Sequence, residues 1–526
     1  MELYGPQRAR RAVFYTIGFR AVSQLATVLS YVVLVRGLSE QALGVYSLLY
    51  SVIPIVGTVA SFGLDQVLKR FQPEYLRAGN MAAAAWLVRV VTAGRFVSNI
   101  VLLAVIIAAW SIVSRPFHLT DHRQDFEVFS LVVLLYFQVI LLQSSLAAHM
   151  QHRYSVGSVA VLGIGKLVAY CVVYEFLQFS LRAAIIADLA AFVLTYCYLL
   201  LSHWRHTRPA AGHASWRPVV AERRRLWRYA LTNNFNESSS LLLHVQTDNF
   251  FIAALMNPLA VGAYAFYARL NEMAANLIPP RLFENVVQPL FYSTRQEEAA
   301  QRLPRYVTLL INISMLVQWP LFAFSLVYHK ELVQFVFHGK FIEYSALLPV
   351  VVAFALTNNV ISTPITMTAL YGERASLILR SQLFAIYQVV AMLTLVPLFG
   401  LYGAAIATGT LHLFRNLWVW WHVRDTARWL NVRSALGIGC VIWGTVIAVC
   451  FAMKFAWHAP AVVQLVIGAV VCVIGTLVYL RSSAMAQSDR EIIAAVLHGR
   501  ESRMLRWVGL APQAATGAIQ AGNSSG

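Results

Sequence analysis

Apolar residues fill membrane-length segments along nearly the whole chain, and the polar residues inside those segments recur at helical spacing. Between Val13 and Val35, the positions Thr16, Arg20, Ser23, Gln24, Thr27 and Ser30 return every three or four residues. That period predicts a polar stripe along an otherwise apolar helix. Reading for such runs places fourteen helices, near 13–36, 42–66, 84–113, 126–148, 155–176, 182–202, 229–255, 259–285, 306–328, 342–369, 375–398, 401–422, 435–453 and 460–480. The expected fold class is an all-α polytopic membrane protein. A charged side chain deep in a bilayer costs several kcal/mol, so the polar stripes are expected to face a protein interior or a water-filled cavity.

Composition supports the membrane reading. Of 526 residues, 59% are hydrophobic and only 12% charged. A soluble chain of this size needs more charge to cover its surface. The net charge of +18 would suggest nucleic acid in a soluble protein. Here its placement matters more than its sum, and no nucleic acid is expected. With alternate connections assigned to the cytoplasm, those connections carry 26 Lys and Arg against 7 on the opposite side. The positive-inside rule then puts both termini in the cytoplasm, with an even number of spans. Arg8, Arg10 and Arg11 precede a first span too long for a signal-peptide core, so that span is expected to remain as an anchor. The five cysteines all lie in apolar segments without ligand spacing and read as small buried hydrophobes.

The chain repeats itself. Leu38-Ser-Glu-Gln-Ala-Leu-Gly44-Val-Tyr46 matches Met256-Asn-Pro-Leu-Ala-Val-Gly262-Ala-Tyr264, with the glycines 218 residues apart. Asp65 and Glu284 are 219 apart, and Ala183-Ala184-Ile185 and Ala404-Ala405-Ile406 are 221 apart. Each repeat holds six helices, an even number, so both share one orientation, as in transporters whose halves are related by an axis along the membrane normal. The expected organisation is a six-helix lobe over 1–205, a basic cytoplasmic linker over 206–228 and a second six-helix lobe over 229–423. Two extra helices over 424–482 and a cytoplasmic tail over 483–526 follow. The tail opens with the capping pattern Ser488-x-x-Glu491, expected to start an amphipathic helix before an Ala/Gly/Ser-rich end. The Arg-rich linker reads as a loop contacting anionic lipid headgroups.

These motifs carry a resemblance. Arg36-Gly-Leu-Ser-Glu-Gln-Ala-Leu-Gly44-Val-Tyr46-Ser, Phe62-Gly-Leu-Asp65 and Lys69-Arg70-Phe71 resemble the start of Wzx-type oligosaccharide flippases. These belong to the multidrug/oligosaccharidyl-lipid/polysaccharide exporter superfamily. Asn257-Pro-Leu-Ala-Val-Gly262-Ala-Tyr264, Leu332-Val-Gln-Phe-Val-Phe-His-Gly339-Lys-Phe and Phe399-Gly-Leu-Tyr-Gly403-Ala-Ala-Ile-Ala resemble the matching positions of the second half. The resemblance covers roughly 13–480. It implies a bacterial inner-membrane flippase that moves an undecaprenyl-pyrophosphate-linked oligosaccharide by alternating access. The energy would come from H+ or Na+ or the membrane potential, and polymerase and chain-length proteins would be its partners. It implies no cofactor. A drug/cation antiporter of the same superfamily is the alternative, and a membrane glycan polymerase or ligase a more distant one. The cationic residues of the first half argue against the antiporter, and outer connections of about a dozen residues against the enzyme.

Candidate site residues follow from charge inside the spans. Arg20, Arg89, Arg95 and Lys166 in the first half, with Arg269 in helix eight, are the candidate ligands of a lipid pyrophosphate or acidic sugar, because guanidinium groups bind such oxygens through forked hydrogen bonds. Arg95 shares a face with Thr92 and Asn99. The competing expectation is snorkelling or pairing with an acid. Helix seven carries Asn233, Glu237, Ser240, His244 and Asp248 at steps of four, three, four and four, and helix eight adds Glu272 and Asn276 beside Arg269. Glu237, Asp248 and Glu272 are candidates for a coupling cation, since a carboxylate in a low-dielectric cavity can take up a proton or hold a sodium ion. A bland alternative pairs Glu272 with Arg269. Asp65 and Glu284 read as structural partners of Lys69 and Arg281. No catalytic or metal site is expected: Gly163-Ile-Gly165-Lys166 lacks the rest of a phosphate-binding loop, and His203, His206 and His213 lack companion ligands.

Overall fold

The computed structural model describes residues 6–207, 216–276, 296–371, 374–424, 432–457 and 459–482. Among them every regular element is a helix. The first half runs α1 (Pro6–Gly37), α2 (Glu40–Val59), α3 (Leu64–Arg77), α4 (Met81–Ala108), the single turn α5 (Trp110–Val113), α6 (Arg123–Ala148), α7 (His152–Phe176) and α8 (Leu181–His206). A short α9 (Arg217–Ala221) leads to α10 (Arg223–Ser240), α11 (Val245–Leu255) and α12 (Pro258–Ala275). Then come α13 (Gln296–Phe337), α14 (Leu347–Tyr371), α15 (Ala375–Ser381), α16 (Phe384–Val423), α17 (Val432–Ala456) and α18 (Ala461–Arg481).

Eleven stretches among the described residues are long and apolar enough to cross a membrane. One of them, Ser376–Val423, has 48 residues and is twice the needed length. Gly400 divides it with a backbone (φ 57°, ψ −135°) that a side chain would strain. Multi-pass membrane insertion follows from these spans.

Two expected helices differ. The run 42–66 ends at Val59, and α3 begins afresh after Gly63, whose φ of +72° sets the turn. A Cβ on Gly63 would also overlap the Ala230 carbonyl, so the turn and α10 pack backbone to backbone. With 14 residues α3 is too short to span. Its apolar face (Val67, Leu68, Phe71, Tyr75) instead packs on Ala83, Ala84, Leu87 and Val91 of α4.

Helix seven is also discontinuous. α10 ends at Ser240, a 3-10 turn covers Leu241–Leu243, and His244 is extended before α11 starts. Ser239 and Ser240 return their hydroxyls to the Asn236 and Glu237 carbonyls, and Thr247 bonds the Leu241 carbonyl. Such side-chain bonds compete with the helical ladder. The expected stripe from Asn233 to Asp248 is therefore cut in two.

Two compact units emerge among the described residues. One gathers those within Met1–Met273, Val336–Leu347 and Gln382–Leu411. In it α1 lies along α7, and Gly163 faces Ser23 and Ala26 at about Cβ contact distance. The other gathers those within Ala274–Phe335, Leu348–Ser381 and His412–Gly526. There α13 bends at Tyr328 and packs that ring against Gly468 of α18, beside Trp443, Cys450 and Cys472. Lys454 closes this packing with a 2.8 Å ion pair to Glu331.

Candidate functional site

Two buried carboxylates organise the first unit, and both sit in cages drawn from equivalent positions of the repeat. Asp188 of α8 is fully buried. Its carboxylate accepts from the hydroxyls of Tyr46 (2.7 Å), Tyr50 (2.5 Å) and Tyr170 (2.6 Å) and pairs with Lys166 Nζ at 2.9 Å. The Lys166 ammonium also donates to the Tyr50 hydroxyl and lies 5.1 Å from the ring centres of Tyr50 and Phe192. A buried carboxylate needs such compensation, because an unpaired charge out of water costs several kcal/mol.

Asp248 of α11 is the second. It accepts from Gln388 Nε2 (2.7 Å), Thr408 Oγ1 (2.7 Å) and the Tyr264 hydroxyl (3.1 Å). Tyr264 follows Tyr46 by 218 residues, Gln388 follows Tyr170 by 218, and Thr408 follows Asp188 by 220. The position 218 before Asp248 is Ser30, a buried hydroxyl bonded to the Ala26 carbonyl at 2.6 Å. Three repeat positions thus recur in both cages, Tyr46 with Tyr264, Tyr170 with Gln388 and Asp188 with Thr408, while the acid moves from the sixth helix of one half to the first of the other. No cation pairs with Asp248 among the described residues, and the Gln388 carbonyl oxygen beside it is buried without a partner. Thr408, Gln388 and Tyr264 present oxygens around the carboxylate, the donor type that protons and small hard cations take.

The other expected residues fall elsewhere. Arg95 is fully buried, donates to the Gly57 carbonyl at 2.7 Å, faces Phe137 at 4.4 Å and lies 3.6 Å from Asp65. It therefore serves as the near partner of Asp65, a role the sequence assigned to Lys69, and its guanidinium is enclosed within the bundle. Lys166 is likewise spent on Asp188. Arg89 is exposed on α4 and Arg20 half-buried on α1. Arg269 pairs with Glu272 at 2.6 Å, as the bland alternative expected. Glu237 accepts from Gln66 Nε2 at 2.5 Å, on the α3 side and apart from Asp248. Asn276 ends the described part of that segment, and Glu284, Arg281 and His213 lie outside the described residues. The polar stripe of α1 is also divided. Ser23 bonds the Val159 carbonyl of α7, whereas Gln24 reaches the Met273 carbonyl of α12 at 3.2 Å.

Sequence reasoning missed Asp188, Tyr50 and Tyr170. A signal was present, since Tyr46 lies in the first repeated motif and Asp188 four residues after Ala184 in another.

A third cluster ties the two repeats together at the α1–α2 connection. A Cβ on Gly44 would overlap the Pro258 carbonyl, and one on Gly262 would lie 3.0 Å from the Gly44 nitrogen. The repeated glycines therefore pack against each other. Beside them Tyr31, Phe266, Phe337 and Phe341 form one aromatic group, with ring centres 4.8 to 6.5 Å apart. Lys340 donates to the carbonyls of Arg36 and Leu38 at the end of α1, and Glu40 accepts from the Phe341 N–H at 2.8 Å.

The family described as polysaccharide biosynthesis protein matches residues 33–346. No curated protein matches the chain by sequence. Among solved structures, a lipid II flippase MurJ in an inward closed conformation is similar with TM-score 0.65 at 11% identity. The match covers 88% of this chain and 99% of that one. An inward-facing multidrug resistance MATE family transporter of the MOP superfamily is similar with TM-score 0.59 at 13% identity, over 78% of this chain and 99% of that one. At these identities the likeness is one of fold.

Proposed function

Since the chain belongs to the polysaccharide biosynthesis protein family, we propose that it flips a lipid-pyrophosphate-linked oligosaccharide across the bacterial inner membrane by alternating access, driven by a cation gradient. The observation that carries this reading is the duplicated cage, buried within the first unit and holding one carboxylate with a cationic partner and one without. A carboxylate enclosed by neutral donors alone is costly while charged and uncompensated. A proton or sodium ion arriving at Asp248 removes that cost, and its departure restores it. Binding that favours one arrangement of the helices over the other shifts the population between them. The family and the fold of a known flippase support transport over glycan chemistry.

Arg20, Arg89 and Arg269 are the candidate contacts for the pyrophosphate. Arg269 is held by Glu272 but remains near two-fifths exposed, so its guanidinium keeps open N–H groups. Cytoplasmic termini and the lobes 1–205 and 229–423 complete the proposal, which agrees with the Lys/Arg asymmetry of the connections.

The test reconstitutes the purified protein in liposomes and follows leaflet exchange of a fluorescent undecaprenyl-pyrophosphate oligosaccharide, with and without a proton or sodium gradient. Exchange accelerated by one of the gradients is the expected result. Glycan elongation without exchange, or movement of cationic drugs in place of the lipid, would overturn it.

A further inference from the structure

The most polar helix among those that pack in the first unit is α10. Eight of the nine residues from Thr232 to Ser240 carry a hydroxyl, amide or carboxyl group, and α10 is not among the stretches apolar enough to cross a membrane. One side of it is fixed. Ser61 donates to Asn234 Oδ1 at 3.3 Å, Gln66 to Glu237, and Ser239 bonds Gln382. The other side is open, with Thr232, Asn236 and Ser238 exposed. Phe235 is 70% exposed among them, and Trp227, two turns earlier on that face, 51%.

Leu231, between Trp227 and Phe235, is exposed as well, so an apolar strip runs beside these polar groups; lipid would leave the polar groups without partners, at several kcal/mol each. The chemistry of this face also differs from that of an anion site. Asn236 accepts from Gln382 at 3.2 Å through its side-chain carbonyl oxygen, a bond that does not use its amide N–H groups. The hydroxyl of Ser238 makes no bond among the described residues. Amides and hydroxyls both donate and accept, as sugar hydroxyls do. An exposed aromatic ring presents a flat apolar surface with a negative face, which suits the C–H side of a pyranose ring. Basic residues are confined to the start of the helix, where Arg223, Arg224 and Arg228 are exposed. From Arg228 to Asn236 the helix rises about 12 Å, so the phosphate-type and sugar-type faces are separated along one rod.

We propose that the open face formed by Thr232, Phe235, Asn236 and Ser238 binds neutral sugar residues of the lipid-linked glycan and so sets which glycans the chain carries. This rests on the flippase reading and adds to it the place where the glycan, as distinct from its lipid pyrophosphate, is recognised.

The experiment uses the full-length protein in liposomes with two probes, undecaprenyl-pyrophosphate bearing one sugar and the same lipid bearing a neutral trisaccharide. The double substitution Asn236→Ala with Ser238→Ala is expected to raise the half-saturating concentration of the trisaccharide lipid about tenfold, with less than a twofold change for the one-sugar lipid. Phe235→Leu is expected to act in the same direction. Asn236→Gln with Ser238→Thr keeps the hydrogen-bonding groups and is expected to restore the selectivity, which separates recognition from misfolding. Equal losses for both probes, or no loss for either, would overturn the inference while leaving the flippase reading intact. A wild-type protein that moves neither probe would overturn the flippase reading and this inference with it.

Discussion

The cages around Asp188 and Asp248 share three repeat positions, yet only one of them is electrically closed. Around Asp188 three tyrosines and Lys166 neutralise and saturate the carboxylate. Around Asp248 a tyrosine, a glutamine and a threonine supply hydrogen bonds without charge. A duplicated scaffold can thus keep its packing while assigning different duties to its two copies. The closed cage is suited to holding its helices together. The open one is where the proposed cation would act.

That division can be broken most directly at the acids themselves. Asp248→Asn should abolish the gradient dependence of lipid exchange and lower the driven rate more than tenfold, measured in liposomes. If exchange stayed gradient-dependent, the open cage would have no coupling role. Asp188→Asn should act on stability, because removing one member of a buried ion pair costs about 3–5 kcal/mol. Thermal unfolding in detergent would register the loss, and Asp188→Asn combined with Lys166→Met should recover much of it. A finer contrast comes from the matched tyrosines. Tyr46→Phe removes a bond to a charged acceptor, worth about 1.5–3 kcal/mol. Tyr264→Phe should cost less, about 0.5–1.5 kcal/mol, when Asp248 is protonated. Equal losses at low pH would show that the two carboxylates share one charge state.

The smallest expected effect concerns pH. His149, just beyond the end of α6, is held below its ordinary value of 6.5 by burial. The unfolded chain therefore binds a proton that the folded one refuses, and stability should fall as pH drops from about 6.5 through the lower folded value. The position 218 later is Met367, which does not titrate. Hydrogen exchange at pH 7.5 and 5.5 should show the acid-induced loosening around α6 and not around α14.

Much of the architecture was legible because membrane insertion forces long apolar runs. The repeat was legible because Gly44 and Gly262 recur with their tyrosines. The breaks were not. Gly63 and the serines before Leu241 interrupt helices by a positive φ and by side-chain bonds to backbone carbonyls, and neither leaves a gap in hydropathy. Partner choice was the least legible. Arg95 and Lys166 look like cavity charges in sequence, and only the approach of α3 and α8 shows that they serve Asp65 and Asp188. Asp248 stood out as an acid in an apolar run, whereas its cage needed α12 and α16, 16 to 160 residues away.

The contact between Gly44 and Gly262 carries a further consequence. Two equivalent positions of a repeat can touch only where the symmetry axis passes, so each residue there has its own counterpart as neighbour. Away from the axis one copy can gain a lysine or lose an acid while the other keeps its state, as the two cages show. On the axis a side chain at Gly44 would overlap the Pro258 carbonyl and one at Gly262 would crowd the backbone of Glu40 and Gly44, so a substitution in either copy meets the backbone of the other. The halves of this chain have differentiated at their two cages and stay alike at the glycines where they meet.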